Sequence, residues 1–340
     1  MNHSSAYTTT MAGITALGMY VPDRILTNFD LEKMVDTNDQ WIQERTGIRE
    51  RHLVRENEAT SDMATAAAKE CLAKRGIEAS ELDVIILATI TPDMMFPATA
   101  ALIQNNLGAS NAWGFDLSAA CSGFMFALEA GAKLIETGRY NKVMVIGADT
   151  MSSIIDYTDR NTCVLFGDGA GAVLLEPQNN GFGIVDSELR IDGSGGQFLH
   201  LKAGGSRLPT SHKTVDNRLH YVYQEGRQVY KFAVKGMAEV SARVAKKNGI
   251  EGKDLKLYIP HQANLRIIDA AAKRLKLEKD QVLINIDRYA NTTAATIPIG
   301  LYEAQRDGKL SKGDNVMLAA FGAGFTWGAM LIKWGLDPDE

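Results

Sequence analysis

The sequence predicts an α/β fold with largely buried strands and a repeated order of elements. Short β-branched runs alternate with Ala-rich helical stretches, the pattern of α/β layering. The second half repeats the order of the first. With Val84 set against Leu257, Ala88 falls opposite His261, and Cys121 and Asn291 follow at similar distances. A chain of 340 residues that is 45% hydrophobic and 23% charged has the apolar material for a sizeable core.

The elements follow in order. Residues 1–12 are polar and read as a disordered lead-in, without the basic start and apolar centre of a secretory signal. A first half over 13–180 opens its helical pattern at Thr60/Ser61, which can cap it, and Gly76 stops it. Residues 83–90 and 113–119 read as buried strands, the second leading to Cys121. The stretch 122–138 is apolar all round at its start and gains charge later, as a helix running from core to solvent does. Residues 142–149 form the next strand. Residues 176–225 are rich in Gly, Ser and Asn and read as a long connection with little regular structure. In the second half, over 181–340, residues 255–260 are a strand ending at His261, and 282–291 a strand ending at Asn291. The small-residue helix 292–308 and a closing strand over 315–322 follow.

Composition excludes several classes. The net charge is −5, with no block of Lys and Arg to form a nucleic-acid footprint. No run reaches the roughly 18 apolar residues that span a bilayer, so the expected location is the cytoplasm. Three cysteines without a CxxC pair make neither a disulfide framework nor a zinc site. FGDGAGAV at 166–173 lacks the spacing of a dinucleotide loop and reads as a tight strand junction. No metal and no redox cofactor are expected.

The candidate chemistry gathers at strand ends, where α/β folds collect their sites. Cys121 stands where a strand becomes a helix. Free N–H groups there favour a thiolate of lowered pKa and can hold an oxyanion; Ala119, Ala120, Ser122 and Gly123 leave room for substrate. Cys71, mid-helix, and Cys163, in an apolar run, read as structural. His261 is the one histidine at the end of a predicted core strand; the other five lie in polar or loop contexts. Asn291 reads either as a helix N-cap or as a neutral donor beside the histidine. A Cys–His–Asn set serves a cysteine hydrolase as well as an acyl transferase, so these residues alone leave both open. The backbone of the small-residue run FGAGFTWG (321–328) can approach a site.

Six stretches carry a resemblance to a known family: QWIQERTGIRERH (40–52), FDLSAACSGF (115–124), DRNTCVLFGDGAGAV (159–173), IPHQANLRI (259–267), YANTTAATIP (289–298) and FGAGFTWG. In this order they resemble the β-ketoacyl-[acyl-carrier-protein] synthases III of the thiolase superfamily. The resemblance implies a five-layer αβαβα fold of two related halves, a homodimer and no cofactor beyond a CoA thioester as substrate. It implies an acyl-CoA primer, acetyl or another short acyl group, loaded on Cys121 and condensed with malonyl-acyl carrier protein. His261 and Asn291 would stabilise the charge of decarboxylation, and the N–H groups of Cys121 and Ala323 would hold the oxyanion. Many family members have Gly where this chain has Ala323.

The resemblance further implies that Trp41 and Arg160 sandwich the adenine of CoA, with Thr37, Arg45 and Asn264 nearby. Phe96 would border the acyl pocket from the other subunit. Lys231, Arg266, Lys273 and Arg274 would receive the acidic carrier protein; the last three share a helical face. A relative of secondary metabolism with another acyl group or acceptor fits the same motifs.

Overall fold

The computed structural model describes residues 10–338. The first half contains β1 (Met11–Tyr20), β2 (Arg24–Thr27), α1 (Asn28–Leu31), α2 (Asp39–Thr46), β3 (Glu50–Leu53), α3 (Thr60–Arg75), β4 (Val84–Ala88), α4 (Thr99–Leu107), β5 (Trp113–Leu117), α5 (Gly123–Glu136), β6 (Val143–Asp149) and β7 (Gly169–Gln178). The second contains β8 (Gly183–Ile191), β9 (Leu199–Leu201), α6 (His212–Asp216), β10 (Val222–Gln224), α7 (Gly226–Lys247), β11 (Leu257–Pro260), α8 (Leu265–Leu275), α9 (Ile286–Tyr289), α10 (Thr296–Arg306), β12 (Asn315–Gly322) and β13 (Thr326–Lys333).

One sheet has the order β1-β7-β6-β4-β5 and the other β11-β12-β13-β8. Read from β8, the second sheet repeats the first: two antiparallel pairings, then a parallel one. Where β5 would pair there remains a single parallel bridge, Tyr258 to Val282. α5 and α10 lie between the sheets in a shared apolar core. α3 and α4 cover the outer face of the first sheet, α7 and α8 that of the second. The result is the αβαβα stack of two pseudo-duplicated halves. The offset that pairs Val84 with Leu257 also pairs Ala120 with Thr293, and both hold positive φ, 48° and 50°.

Several expectations are corrected. Met11 and Ala12, assigned to the lead-in, open β1; residues 1–9 lie outside the described residues. Ala59, not Thr60 or Ser61, is the N-cap of α3: Asp62 accepts from its N–H, while Thr60 turns inward to donate to Thr91 O at 2.7 Å. Gly76 does close the helix, at φ 70°. β5 is an edge strand with Trp113 45% exposed, not a buried one. Residues 282–291 do not form a strand. Gln262 Oε1 accepts from the N–H groups of Asn285 and Ile286, diverting the backbone into the turn of α9 after one bridge. The 176–225 connection contains β8, a full strand of the second sheet, and the short β9–β10 pair. The glycine run at 166–173 leads into β7, and β12 is followed by β13 rather than closing the chain.

Candidate active site

Cys121 lies in a 3-10 turn, Ala120–Ser122, that leads into α5. The left-handed backbone of Ala120 bends the chain sharply so that the next residue heads the helix. The turn is clamped from the second half. Thr326 Oγ1 donates to Ala119 O at 2.9 Å, and Ser122 Oγ donates to Thr326 O at 3.1 Å. Gly322 passes so near that an added Cβ would stand 2.7 Å from Cys121 N. The Cys121 N–H and the 322–324 loop are therefore neighbours because residue 322 has no side chain.

Contrary to the expectation of a lowered pKa, burial pushes the Cys121 thiol up to about 12, and the Asp149 carboxylate adds to the effect. The free N–H groups at the start of α5 act in the opposite direction. Cys121 is thus a protonated thiol near neutral pH.

His261 follows β11 and is 1% exposed. Its backbone N–H donates to Ala319 O at 2.7 Å, and neither ring nitrogen has a hydrogen-bond partner among the described residues. Burial lowers its pKa to about 3, so the ring is a neutral imidazole. Asn291 is fixed by a bridge to Phe166, with its N–H on Leu165 O at 3.0 Å. Its Oδ1 accepts from Thr293 N at 2.9 Å. That bond sets the amide orientation and leaves Nδ2 without a partner among the described residues. Cys121, His261 and Asn291 line one cavity of about 860 Å³, together with Ala323, Trp41, Arg45 and Asn264.

A histidine already neutral above about pH 3 has no charge to lose near pH 6.5. Any reaction step that depends on this ring should therefore show no acid limb between about pH 5 and 8 from His261. A single-turnover pH profile checks it; a limb centred near 6.5 would mean that His261 is protonated in the working site.

Two family models match. 3-Oxoacyl-[acyl-carrier-protein] synthase III covers residues 115–193, and its C-terminal counterpart covers 245–334. The β-ketoacyl-[acyl-carrier-protein] synthase III of Koribacter versatilis is 59% identical over 325 residues, 95% of this chain and 98% of that protein. The chain belongs to the β-ketoacyl-[acyl-carrier-protein] synthase III family. It is an acyltransferase of that condensing family. The synthase III of Thermus thermophilus superposes with TM-score 0.89 at 45% identity, covering 95% of this chain and 99% of that one. The priming β-ketosynthase of the R1128 polyketide pathway does so with TM-score 0.89 at 31%, covering 96% and 97%.

The remaining synthase III positions divide between cavity and rim. The Arg160 guanidinium lies 4.6 Å from the Trp41 ring centre and that of Arg45 5.7 Å. Thr37 Oγ1 is buried and unpartnered. Asn264 caps α8 by accepting from Arg266 N at 3.0 Å, and clips α2 by donating to Arg45 O at 2.8 Å. Arg266 lines the mouth; Lys231, Lys273 and Arg274 are exposed on α7 and α8, which pack together. Phe96 is 84% exposed and does not line this cavity.

Other functional positions gave no such signal. His200, expected at the surface, lines the cavity from β9, and Arg227 lines it at the start of α7. Arg51 is fully buried without a carboxylate partner. It donates to Leu26 O, Asn28 Oδ1 and Val164 O, tying together the lobe that carries Trp41. An alternating sequence marks half-buried strands, but it cannot show that a distant loop folds over a cavity.

Proposed function

We propose that this cavity joins an acyl-CoA primer to malonyl-acyl carrier protein and so begins a fatty-acid chain. Cys121 Sγ attacks the primer carbonyl, passing its proton to His261, and CoA leaves as the thiol. The malonyl group then loses CO2. The resulting enolate is stabilised by the neutral ring of His261 and the Nδ2 donors of Asn291. It attacks the Cys121 thioester, expelling the Cys121 thiolate, which takes up a proton from water to restore the thiol, and β-ketoacyl-carrier protein departs. The N–H groups of Cys121 and Ala323 serve the tetrahedral oxyanion.

The observation that carries this reading is the independence of His261 and Asn291. In a cysteine hydrolase the asparagine orients the histidine by a hydrogen bond. Here Asn291 Oδ1 is occupied by Thr293, and both imidazole nitrogens are unpartnered. Two separate neutral donors suit a developing enolate better than a relay suits hydrolysis.

In the same reading CoA enters past Trp41 and Arg160, its adenine sliding between indole and guanidinium, with Thr37, Arg45 and Asn264 along the path. Lys231, Arg266, Lys273 and Arg274 receive the acidic carrier. Phe96 reaches the acyl pocket of a second copy, favouring short primers. A homodimer is supported by the exposed edge of β5 and by exposed Met95 and Phe96. Three unpaired cysteines fit the reducing cytoplasm.

The test is mass spectrometry after incubation with acetyl-CoA and a panel of longer and branched acyl-CoAs. The expected result is a thioester on the Cys121 peptide that malonyl-acyl carrier protein discharges as β-ketoacyl product. The best-loading group names the primer and separates fatty-acid initiation from a secondary-metabolic role. No adduct from any acyl-CoA, with Cys121 open to alkylation, would sink the reading.

A further inference from the structure

Asp149 is a fully buried carboxylate beside the site, and the reaction above does not use it. It ends β6 and, among the described residues, has no cation to pair with; its hydrogen bonds come from neutral donors of both halves. Oδ1 accepts from the first half: Thr89 Oγ1 at 2.9 Å, Ile90 N at 2.8 Å, and Thr91 through N at 3.2 Å and Oγ1 at 2.8 Å. Oδ2 accepts from the second: Thr293 Oγ1 and, at 3.3 Å, Ala294 N.

The internal repeat explains the second set. At the offset that pairs Ala120 with Thr293, Cys121 pairs with Ala294 and Asp149 with Gly322. The N–H of Cys121 is the oxyanion donor of the first turn, and Gly322 leaves the space before it open. Its counterpart, the N–H of Ala294, meets the Asp149 carboxylate instead. The second half thus retains the anion-binding turn of the first and fills it permanently with an anion of the chain's own. A positive φ of 50° at a β-branched residue is strained, and Asp149 holds Thr293 in it. Thr293 N in turn holds Asn291 Oδ1.

We propose that Asp149 is a positioning residue for decarboxylation: through Thr293 it fixes the 291–294 turn and aims the Asn291 amide into the cavity. Acyl loading of Cys121 does not depend on that chain of contacts; condensation does. This inference rests on the condensing reaction proposed above.

Asp149→Asn replaces one acceptor oxygen with a donor at nearly constant shape. We expect it to lower single-turnover condensation by about 10- to 100-fold, while acyl loading does not fall by more than about threefold, since loss of the Asp149 charge only eases ionisation of the Cys121 thiol. In an Asn291→Ala background the same substitution should cost less than about threefold, since its route of action is already gone. Loss of loading in proportion to condensation, or a full penalty persisting in the Asn291→Ala background, would overturn the proposal. Should Asp149→Asn fail to fold, Thr293→Ala, which removes the bridging hydroxyl together with the γ-methyl, is carried through the same cycle with the same expectations. A parent protein that loads acyl groups but forms no β-ketoacyl product would overturn the condensing reading as well. A parent that forms it while the variants show no split would overturn this inference alone.

Discussion

Cys121→Ala should abolish the acyl adduct and lower condensation by about a thousandfold or more. The other two cysteines cannot substitute. Cys71 is fully buried among the outer-layer residues of the first sheet, and burial drives its thiol pKa far upward. Cys163 is 1% exposed in the lobe that Arg51 ties together. Neither lines the cavity. The variant should retain its Tm within a few degrees, because the turn is held by Thr326 and Ser122 rather than by the sulfur. An adduct surviving on another peptide would refute the assignment of the nucleophile.

Asn291→Asp should separate the two half-reactions most sharply. The aspartate Oδ1 can still accept the Thr293 N–H, so the turn is preserved. Its second oxygen, however, replaces the Nδ2 donor with a partial negative charge facing a developing enolate. Removing one such donor costs about 10²–10³-fold in analogous sites, and repulsion adds to that. Loading of Cys121 by acyl-CoA should remain within a small factor. Equal loss of loading and condensation in a rapid-quench experiment would mean that Asn291 serves the thioester step instead.

The three candidate residues that share the cavity, Cys121, His261 and Asn291, stood out in the sequence because each sits at a change of pattern, where an apolar run gives way to small residues. What failed to register depends on contacts remote in sequence. β8 reads as a loop because the stretch around it, 176–225, is rich in Gly, Ser and Asn, and this outweighed the alternation of Asp186, Glu188 and Arg190 along it. Residues 282–291 read as a strand because they are apolar, yet one distant side chain, Gln262, removes two ladder donors. The raised thiol pKa of Cys121 was equally invisible. A helix start can be inferred from small residues, but complete burial beside Asp149 follows only from the packing of two halves. Asp149 itself reads as the last residue of an apolar strand; its six donors lie at residues 89–91 and 293–294.

The placement of α5 and α10 between the sheets has a consequence for the chain as a covalent object. Each inner helix is wrapped by both repeats, and one apolar cluster runs through Ile14, Phe124, Val145, Ile259, Ile297 and Met330 without a seam. The repeats are therefore copies in architecture but not autonomous modules. A chain severed between β7 and β8 would yield two fragments, each with one sheet stripped of cover on its inward face and prone to aggregate. Only by finding each other could they bury that surface again.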